Sequence, residues 1–540
     1  MCDSSRLPVA GRPSGEPAIG PLWLATGETG HQELQICLTL VAKRAHSRPR
    51  APGGRRASRR GRSDRLGRWC TESADWGTPV ALGPRHSPAV SPQAPTSQQL
   101  ERELFASPDG SAWSNLLITM RARGALCESA TRNAWREIVH RHDCFRTVLL
   151  RQGDTAVQVV SDEVHAPLAV HDLAGTGGGH RRARRLGILL ERLISEPLPL
   201  TEAPLARAAL IRLGQREHVL CWSIAHTIFD MASWDVFTTE FIAFYAAFAA
   251  GRRPSLPSST FRLADLAARE QSPPEHGALE YWRRQLRGAS PGIALRAADG
   301  AGGHQGHDAA IALLKPAAPA YGRELRAIAK SSVHGTLAGA VSGAVACALY
   351  AYSGQSEMVF ALCHANRNLE RHRLGIGCLF DFLPVRLELA GNPTFRELVA
   401  NVGVIVREAR AHEVPFPHIR PILGGPCDVV LNFVYLPAPL RTRRLGCATG
   451  VQFETFAPAR WEHLLPAERV WWDAKLDITV HALEGNYLSG NLMWNAAALD
   501  SRAVCALAAA IEFALRWAAM YPDRRIGRLI TRLGERSTPR

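Results

Sequence analysis

From Thr96 almost to the end of the chain, apolar residues recur at two spacings in turn, every second residue and every third to fourth. The first spacing lines alternate faces of a strand and the second lines one stripe of a helix. A chain patterned this way must build sheets covered by helices, so an α/β or α+β architecture is expected. "SQQLERELF" and "CESATRNAWREIVHRHD" read as helices, and "NLLITMRAR", "TVLLR" and "AVQVVSDEV" as strands. "LARAALIRL" and "HVLCWSIAH" read as adjacent strands about "GQRE". A helix after Met231 carries Trp234, Phe237, Phe241, Phe244 and Phe248 on one stripe and stops at the Gly/Pro breaker "AGRRPSLPSS". "ALEYWRRQL" reads as a helix, and "GASPGIALRAADGAGGHQGH" as a loop or lobe boundary. The second half repeats the mixture. Helices are expected at "LAGAVSGAVACALYAY", "TFRELVANVGVIVREARAH" and "SRAVCALAAAIEFALRWAAMY", and strands at "MVFALCH", "LFDFLPVRLEL", "CDVVLNFVYL" and "KLDITVHAL". No short-period repeat is present.

The 540 residues are 46% hydrophobic, enough for two or more domains or one large two-lobed unit. No run of about 18 apolar residues is free of charges and turn signals, so no membrane span is expected. The start lacks the pattern of a secretory signal. Twelve scattered cysteines contain no C-x-x-C pair, which argues against a zinc site and a disulfide framework and for a reduced, cytoplasmic setting.

The net charge of +15 is unevenly placed. Residues 1–95 hold 14 Arg and Lys against 7 Asp and Glu, with ten arginines between Arg44 and Arg68. Self-repulsion and scarce apolar residues predict a disordered basic extension over 1–95. An electrostatic tether to an acidic partner or nucleic acid is the alternative for this segment, although no aromatics interleave the arginines to stack on bases. The remaining 445 residues carry a mild excess, which gives no reason to expect a nucleic-acid binder.

One loop concentrates chemistry. "CWSIAHTIFDMASWDVF" runs from a strand into a helix, with His226 and Asp230 in the turn. An acid just before a helix caps free N–H groups and suits the helix dipole, so Asp230 has a structural task without catalysis. A lone histidine at a strand end is more often structural than catalytic, and no G-x-S-x-G elbow accompanies it. His-x-x-x-Asp alone decides nothing.

The neighbouring elements decide more. "RHDCFRT" (141–147) looks like R-H-x-x-L-R-T, "AHTIFDMAS" (225–233) like H-H-x-x-x-D-G, and "YWRRQL" (281–286) like Y-W-x-x-x-L. "GQSEMVFALCHANRN" resembles a strand ending in A-G-R, "IGCLFDFLPVRLEL" resembles I-G-x-F-V-N-T-L-P-x-R, "HEVPFPHI" resembles Q-D-x-P-F-E, and "KLDITV" resembles F-D-L-T-L. In this order they make the chain resemble the condensation domain of nonribosomal peptide synthetases, within the chloramphenicol-acetyltransferase-like acyltransferases. The resemblance implies a two-lobed V-shaped pseudo-dimer with a central tunnel, the N-terminal lobe over 96–270 and the C-terminal lobe over 271–535.

It also implies chemistry. One carrier protein brings an acyl or peptidyl thioester on 4'-phosphopantetheine, a second brings an amine, and an amide forms. The catalytic histidine aligns with His226. The aspartate aligns with Asp230 and is expected to pair with an arginine to fix the loop, Arg141 being the first choice and Arg367 the second. Ala225 stands where the family has its first histidine, Met231 where it has glycine, and Asp381 where it has asparagine. All three are assigned to the substrate tunnel. Asp381 is read either as an attractor of the ammonium acceptor or, more plainly, as a solvated strand-end acid. Cys363 and Cys378 are read as small core residues.

No adenylation motif and no carrier G-G-x-S site is found, so a freestanding condensation enzyme with peptidyl or acyl carrier proteins in trans, beside other synthetase subunits, is expected. No cofactor bound by the chain and no metal are expected. An ester-forming or soluble-acceptor acyltransferase, and a degenerate domain that only docks carriers, are the alternatives.

Overall fold

The computed structural model describes residues 93–96, 99, 111–112 and 115–537, apart from 153–154, 163, 176, 258–260, 299–308, 436–449, 456–473 and 483–485. The expected helix at "SQQLERELF" and nearly all of the basic extension lie outside these residues. Within them the fold starts three residues before Thr96. Gln93 exchanges backbone bonds of 2.9 and 2.8 Å with Gln158, so it already belongs to the folded unit.

The first lobe is built on a sheet of β1 (Asn115–Arg123), β4 (Leu168–Asp172), β5 (Ala206–Gly214) and β6 (Glu217–Ala225). Helices α1 (Glu128–Arg141) and α3 (Ser233–Ala249) cover one face. The hairpin β2 (Thr147–Gln152) and β3 (Thr155–Val160) stands beside them. On the α3 stripe Phe237, Phe241 and Phe244 are buried. Phe237 and Phe241 meet the Trp222 ring edge-on at 5.0 and 4.8 Å, the arrangement that aromatic quadrupoles favour. Helix α2 (Gly179–Ser195) covers the opposite face with Leu186, Leu190 and Leu193. Its arginine-rich first turns hide this amphipathic pattern from a reading by composition.

Helix α4 (Leu263–Gln271) leads into α5 (His276–Gln285) and the second lobe. The lobe contains β7 (Ala309–Ala317), α6 (Pro319–Ser331), α7 (Leu337–Ser353), β8 (Glu357–His364) and β9 (Asp381–Glu388). There follow α8 (Phe395–Ala411), α9 (Phe416–Leu423) and β10 (Val429–Tyr435). Strand β11 (Gln452–Thr455) comes next, then β12 (Leu476–Ala482), β13 (Leu488–Asn495), α10 (Ser501–Met520) and α11 (Gly527–Ser537). The second sheet runs β9-β8-β10-β12-β13-β7. The small-residue helix α7 is sunk in its core, with α8, α10 and α11 packed around it. Helix α10 is 20 residues long, apolar, and half buried over its most apolar window, with Leu507, Ile511 and Leu515 in that core.

Strand β11 departs from the expected lobe boundary. It lies late in the chain yet pairs antiparallel with β1, making the first sheet β11-β1-β6-β5-β4. The crossing covers an edge that β1 would otherwise leave open. Phe453 enters the first core against Tyr245, ring centres 5.1 Å apart, and Glu454 pairs with Arg123 at 2.8 Å. Gly124 permits it: its φ is +132°, and a Cβ there would stand 2.4 Å from the Gly450 carbonyl oxygen.

Candidate active site

Strand β6 delivers the loop. Its alternation sends Leu220, Trp222 and Ile224 into the first core and Val219 and Cys221 under α2. The strand ends at Ala225, level with Asn115 on β1, and the Ile228 N–H closes a turn on the Ala225 carbonyl at 3.1 Å. Helix α3 then starts at Ser233 without a side-chain cap from Ala232. Asp230 supplies it instead, taking the Ser233 N–H and hydroxyl on Oδ1, each at 2.9 Å.

The same carboxylate reaches the second lobe. Arg367 Nη2 donates to Oδ1 at 2.8 Å and Nη1 to Oδ2 at 3.2 Å, while the Leu379 N–H donates to Oδ2 at 2.9 Å. Ser233 Oγ receives the Gly377 N–H at 3.0 Å. Asp230 is 3% exposed, so this network is shielded from water and salt. Ile376 and Leu379, which precede β9, insert into the first core. The expected first partner of Asp230 is corrected: Arg141 instead donates to Glu240 at 3.0 Å, beside His142 at 2.6 Å. The packing of α1 against α3 fixes this choice, because Glu240 faces the last turn of α1. Burial pushes the Glu240 carboxyl up, and the bonds from His142 and Arg141 outweigh it and hold it below the usual range.

His226 is half-buried and stands where the lobes meet. Its Nδ1 lies 3.8 Å from Cys378 Sγ, and its ring meets Phe380 edge-on at 5.7 Å. Both partners come from the segment that Asp230 fastens. Sequence reasoning overlooked Cys378 and Phe380 as neighbours of the histidine, and Ser233 as a partner of Asp230, although all three lie inside the quoted motifs. Met231 is half-buried. Ala225 has no exposed surface and its methyl packs in the first core, so it does not line a tunnel.

Asp381 is not a solvated acid. It is 6% exposed, and its oxygens accept the N–H groups of Phe382 at 2.9 Å and Phe416 at 3.1 Å. Burial, with Glu270 nearby, drives its carboxyl well above the usual range. It ties the start of β9 to the start of α9, and both oxygens are occupied by backbone donors. Cys378 is buried and Cys363 half-buried. Among the described residues no three His, Cys, Asp or Glu side chains group to hold a metal.

Two lobes of mixed sheet and helix, with a His-x-x-x-Asp loop fastened between them, define a two-lobed chloramphenicol-acetyltransferase-like acyltransferase fold. A family model described as "Condensation domain" matches residues 102–528, and the chain belongs to that family, the condensation domains of nonribosomal peptide synthetases. A linear gramicidin synthase of Brevibacillus parabrevis is 32% identical over 315 residues, 57% of this chain and 6% of that protein. Phosphinothricin tripeptide synthetase PhsB of Streptomyces viridochromogenes is 28% identical over 346 residues, 63% of this chain and 29% of that protein. The chain thus spans a small part of these relatives.

Solved structures share the fold. The SgcC5 protein from Streptomyces globisporus superposes with TM-score 0.65 at 24% identity, covering 76% of this chain and 93% of that one. The X-domain from teicoplanin biosynthesis does so with TM-score 0.64 at 23% identity, covering 80% and 96%.

Proposed function

We propose that the protein is a condensation enzyme that joins a carrier-bound acyl or peptidyl thioester to an amine, with both carriers supplied in trans. The C–N bond forms as the C–S bond breaks, and the proton lost by the amine returns to the departing thiol. The observation that carries this reading is the seating of His226 between the lobes, on a loop that Asp230 locks to Arg367, Ser233 and Leu379. A free α-amine has a pKa of about 8 and attacks only when neutral, and an imidazole with a pKa of about 6.5 is suited to hold or take its proton. Asp230, Arg367 and Ser233 position the loop and touch no reacting atom. Arg141 serves α1 and α3, one step further away. The chain's own residues supply no cofactor chemistry in this scheme, because phosphopantetheine arrives as part of the substrate. The free cysteines among the described residues fit a reduced cytoplasm.

The test mixes the protein with one acyl-loaded and one aminoacyl-loaded carrier and follows both by intact mass. His226→Ala is expected to abolish transfer while keeping the wild-type circular dichroism. Wild-type turnover in that variant would falsify the reading. A second reading, docking of carriers without chemistry, draws on Ala225 and Met231, which stand where the family carries histidine and glycine. It predicts carrier binding with no transfer by either protein. A soluble amine or an alcohol as acceptor is separated from the main reading by offering each in place of the second carrier.

A further inference from the structure

The segment that fastens Asp230 also shapes the surface beside the reacting histidine. Against the pattern I-G-x-F-V-N-T-L-P-x-R, Phe380 stands at the valine and Phe382 at the threonine, so two aromatic rings replace a small and a polar side chain. Alternation into β9 puts both rings on one side of the chain. They form a row that begins at the reaction loop. The Phe380 ring meets His226 edge-on at 5.7 Å and Phe382 edge-on at 5.8 Å, and Phe382 meets Phe416 of α9 edge-on at 5.7 Å. Asp381, between the two rings, gives its oxygens to the N–H groups of Phe382 and Phe416.

The rings differ in their burial. Phe382 is 6% exposed and belongs to a cluster with Tyr281, Trp282 and Ile419, which anchors the row from behind. Phe380 packs against that cluster only in part and stays half-buried, with ring surface left open next to His226. The thiol of Cys378, on the same segment, faces the His226 Nδ1 and is buried. A substrate group lying against this side of the histidine therefore meets a phenyl ring and a thiol. Neither compensates a polar group for lost water. An aryl group does find a complement there, because the positive edge of one ring pairs with the negative face of another.

We propose that Phe380 is the specificity-determining residue of an aryl subsite beside His226, which seats an aromatic side chain of one of the two substrates. Resting on the proposed condensation reaction, this gives that reaction a substrate class: an arylacyl donor or an aromatic amino acid as acceptor. Phe382 and Phe416 position the ring. Phe380 also steadies the imidazole through its edge-on contact, so the test has to separate recognition from support.

The experiment uses the full chain and two arms. Phenylacetyl and acetyl groups are compared on the donor carrier with glycyl as acceptor, and phenylalanyl and alanyl groups on the acceptor carrier with acetyl as donor. One arm is expected to favour its aryl member by on the order of ten- to a hundredfold in kcat/KM. Phe380→Val should cut that ratio by about three- to tenfold, in the range of one aromatic pair, and Phe380→Tyr, which keeps the ring, should retain it. Lost support for His226 slows both members of a pair alike and leaves the ratio unmoved. A ratio that survives in Phe380→Val, or equal wild-type rates in both arms, therefore overturns the proposal. Calorimetry with stable pantetheine amides of the same four groups reads the subsite without chemistry. Tighter binding of one aryl member, lost in Phe380→Val, upholds the subsite even where no transfer occurs, so failure of the reaction scheme is distinguishable from failure of the subsite. Equal binding within both pairs overturns it.

Discussion

At the scale of single residues, this protein buries carboxylates in two ways. Asp230 and Glu240 have arginine partners, and removing one member of such a pair commonly costs about 3–5 kcal/mol because the other charge stays buried. Asp477 has only the Thr479 hydroxyl among the described residues, and burial raises its carboxyl to about 6. The sign of the consequence follows from linkage. A carboxyl whose folded pKa lies above its unfolded value of about 3.9 stabilises the fold only while protonated. That contribution is complete below about pH 4 and is lost as pH rises through 6. Asp477→Asn escapes the loss, so it should be more stable than wild type at pH 8, by at most about 3 kcal/mol, with a smaller gain at pH 5. Urea unfolding of both proteins at the two pH values measures this, and equal gains at both would show that Asp477 does not titrate as described. Little of this was legible beforehand. The motif marks Asp230 and His226, but Arg367 lies 137 residues from Asp230, and only packing tells it from Arg141. The motif also marks Asp381, without telling that two backbone N–H groups enclose it.

At the scale of elements, long periodic segments were legible and short or disguised ones were not. The aromatic stripe of α3 and the alternation of β5 and β6 announce themselves because each buries one face over several turns or residues. Strand β11, four residues long, has too little pattern to be read and takes its conformation from β1. Helix α6 starts at a proline that follows β7, and its pattern is mixed with that of the loop. The segment before β9 matters most for the site, since it joins the lobes through Ile376, Gly377 and Leu379. A Cβ on Gly377 would come within 2.8 Å of Leu263 Cδ2 and 2.6 Å of Leu379 Cδ1, so alanine requires these packed side-chain ends to shift. Gly377→Ala should therefore lower stability by about 1–3 kcal/mol, the usual cost of overpacking. It should also lower transfer more than stability alone explains, because Gly377 N–H and Leu379 N–H hold Ser233 and Asp230. Thermal unfolding beside carrier-transfer rates separates the two effects. An unchanged midpoint would mean that the clasp yields without cost.

At the scale of the whole molecule, the two sheets do not divide where the chain order divides. Residues 451–455 return to the first lobe, and residues 376 and 379 enter its core, so the first lobe holds pieces of the second half of the chain. Cooperative unfolding of the two lobes follows, because the first core is incomplete without residues from the second half of the chain. The arginine-rich extension stands apart from this logic. The described fold takes hold at Gln93, whose paired backbone bonds to Gln158 extend the β2–β3 hairpin, and the Gln158 side chain donates to the Ala94 carbonyl at 2.6 Å. Thr96 and Gln99 then bond reciprocally, each backbone N–H to the other's side chain, the pattern that opens a helix. Removing residues 1–90 keeps all of these bonds. The truncated protein should unfold at the wild-type midpoint and turn over loaded carriers at the wild-type rate at moderate salt. Removing residues 1–99 cuts the bonds to Gln158 and the Thr96–Gln99 pair, and should lower the midpoint. If the shorter deletion already lowers the midpoint, the extension is part of the fold. If it leaves the midpoint alone but raises KM for carriers at low salt, and less so as salt screens the charge, the extension is an electrostatic tether that gathers acidic carriers.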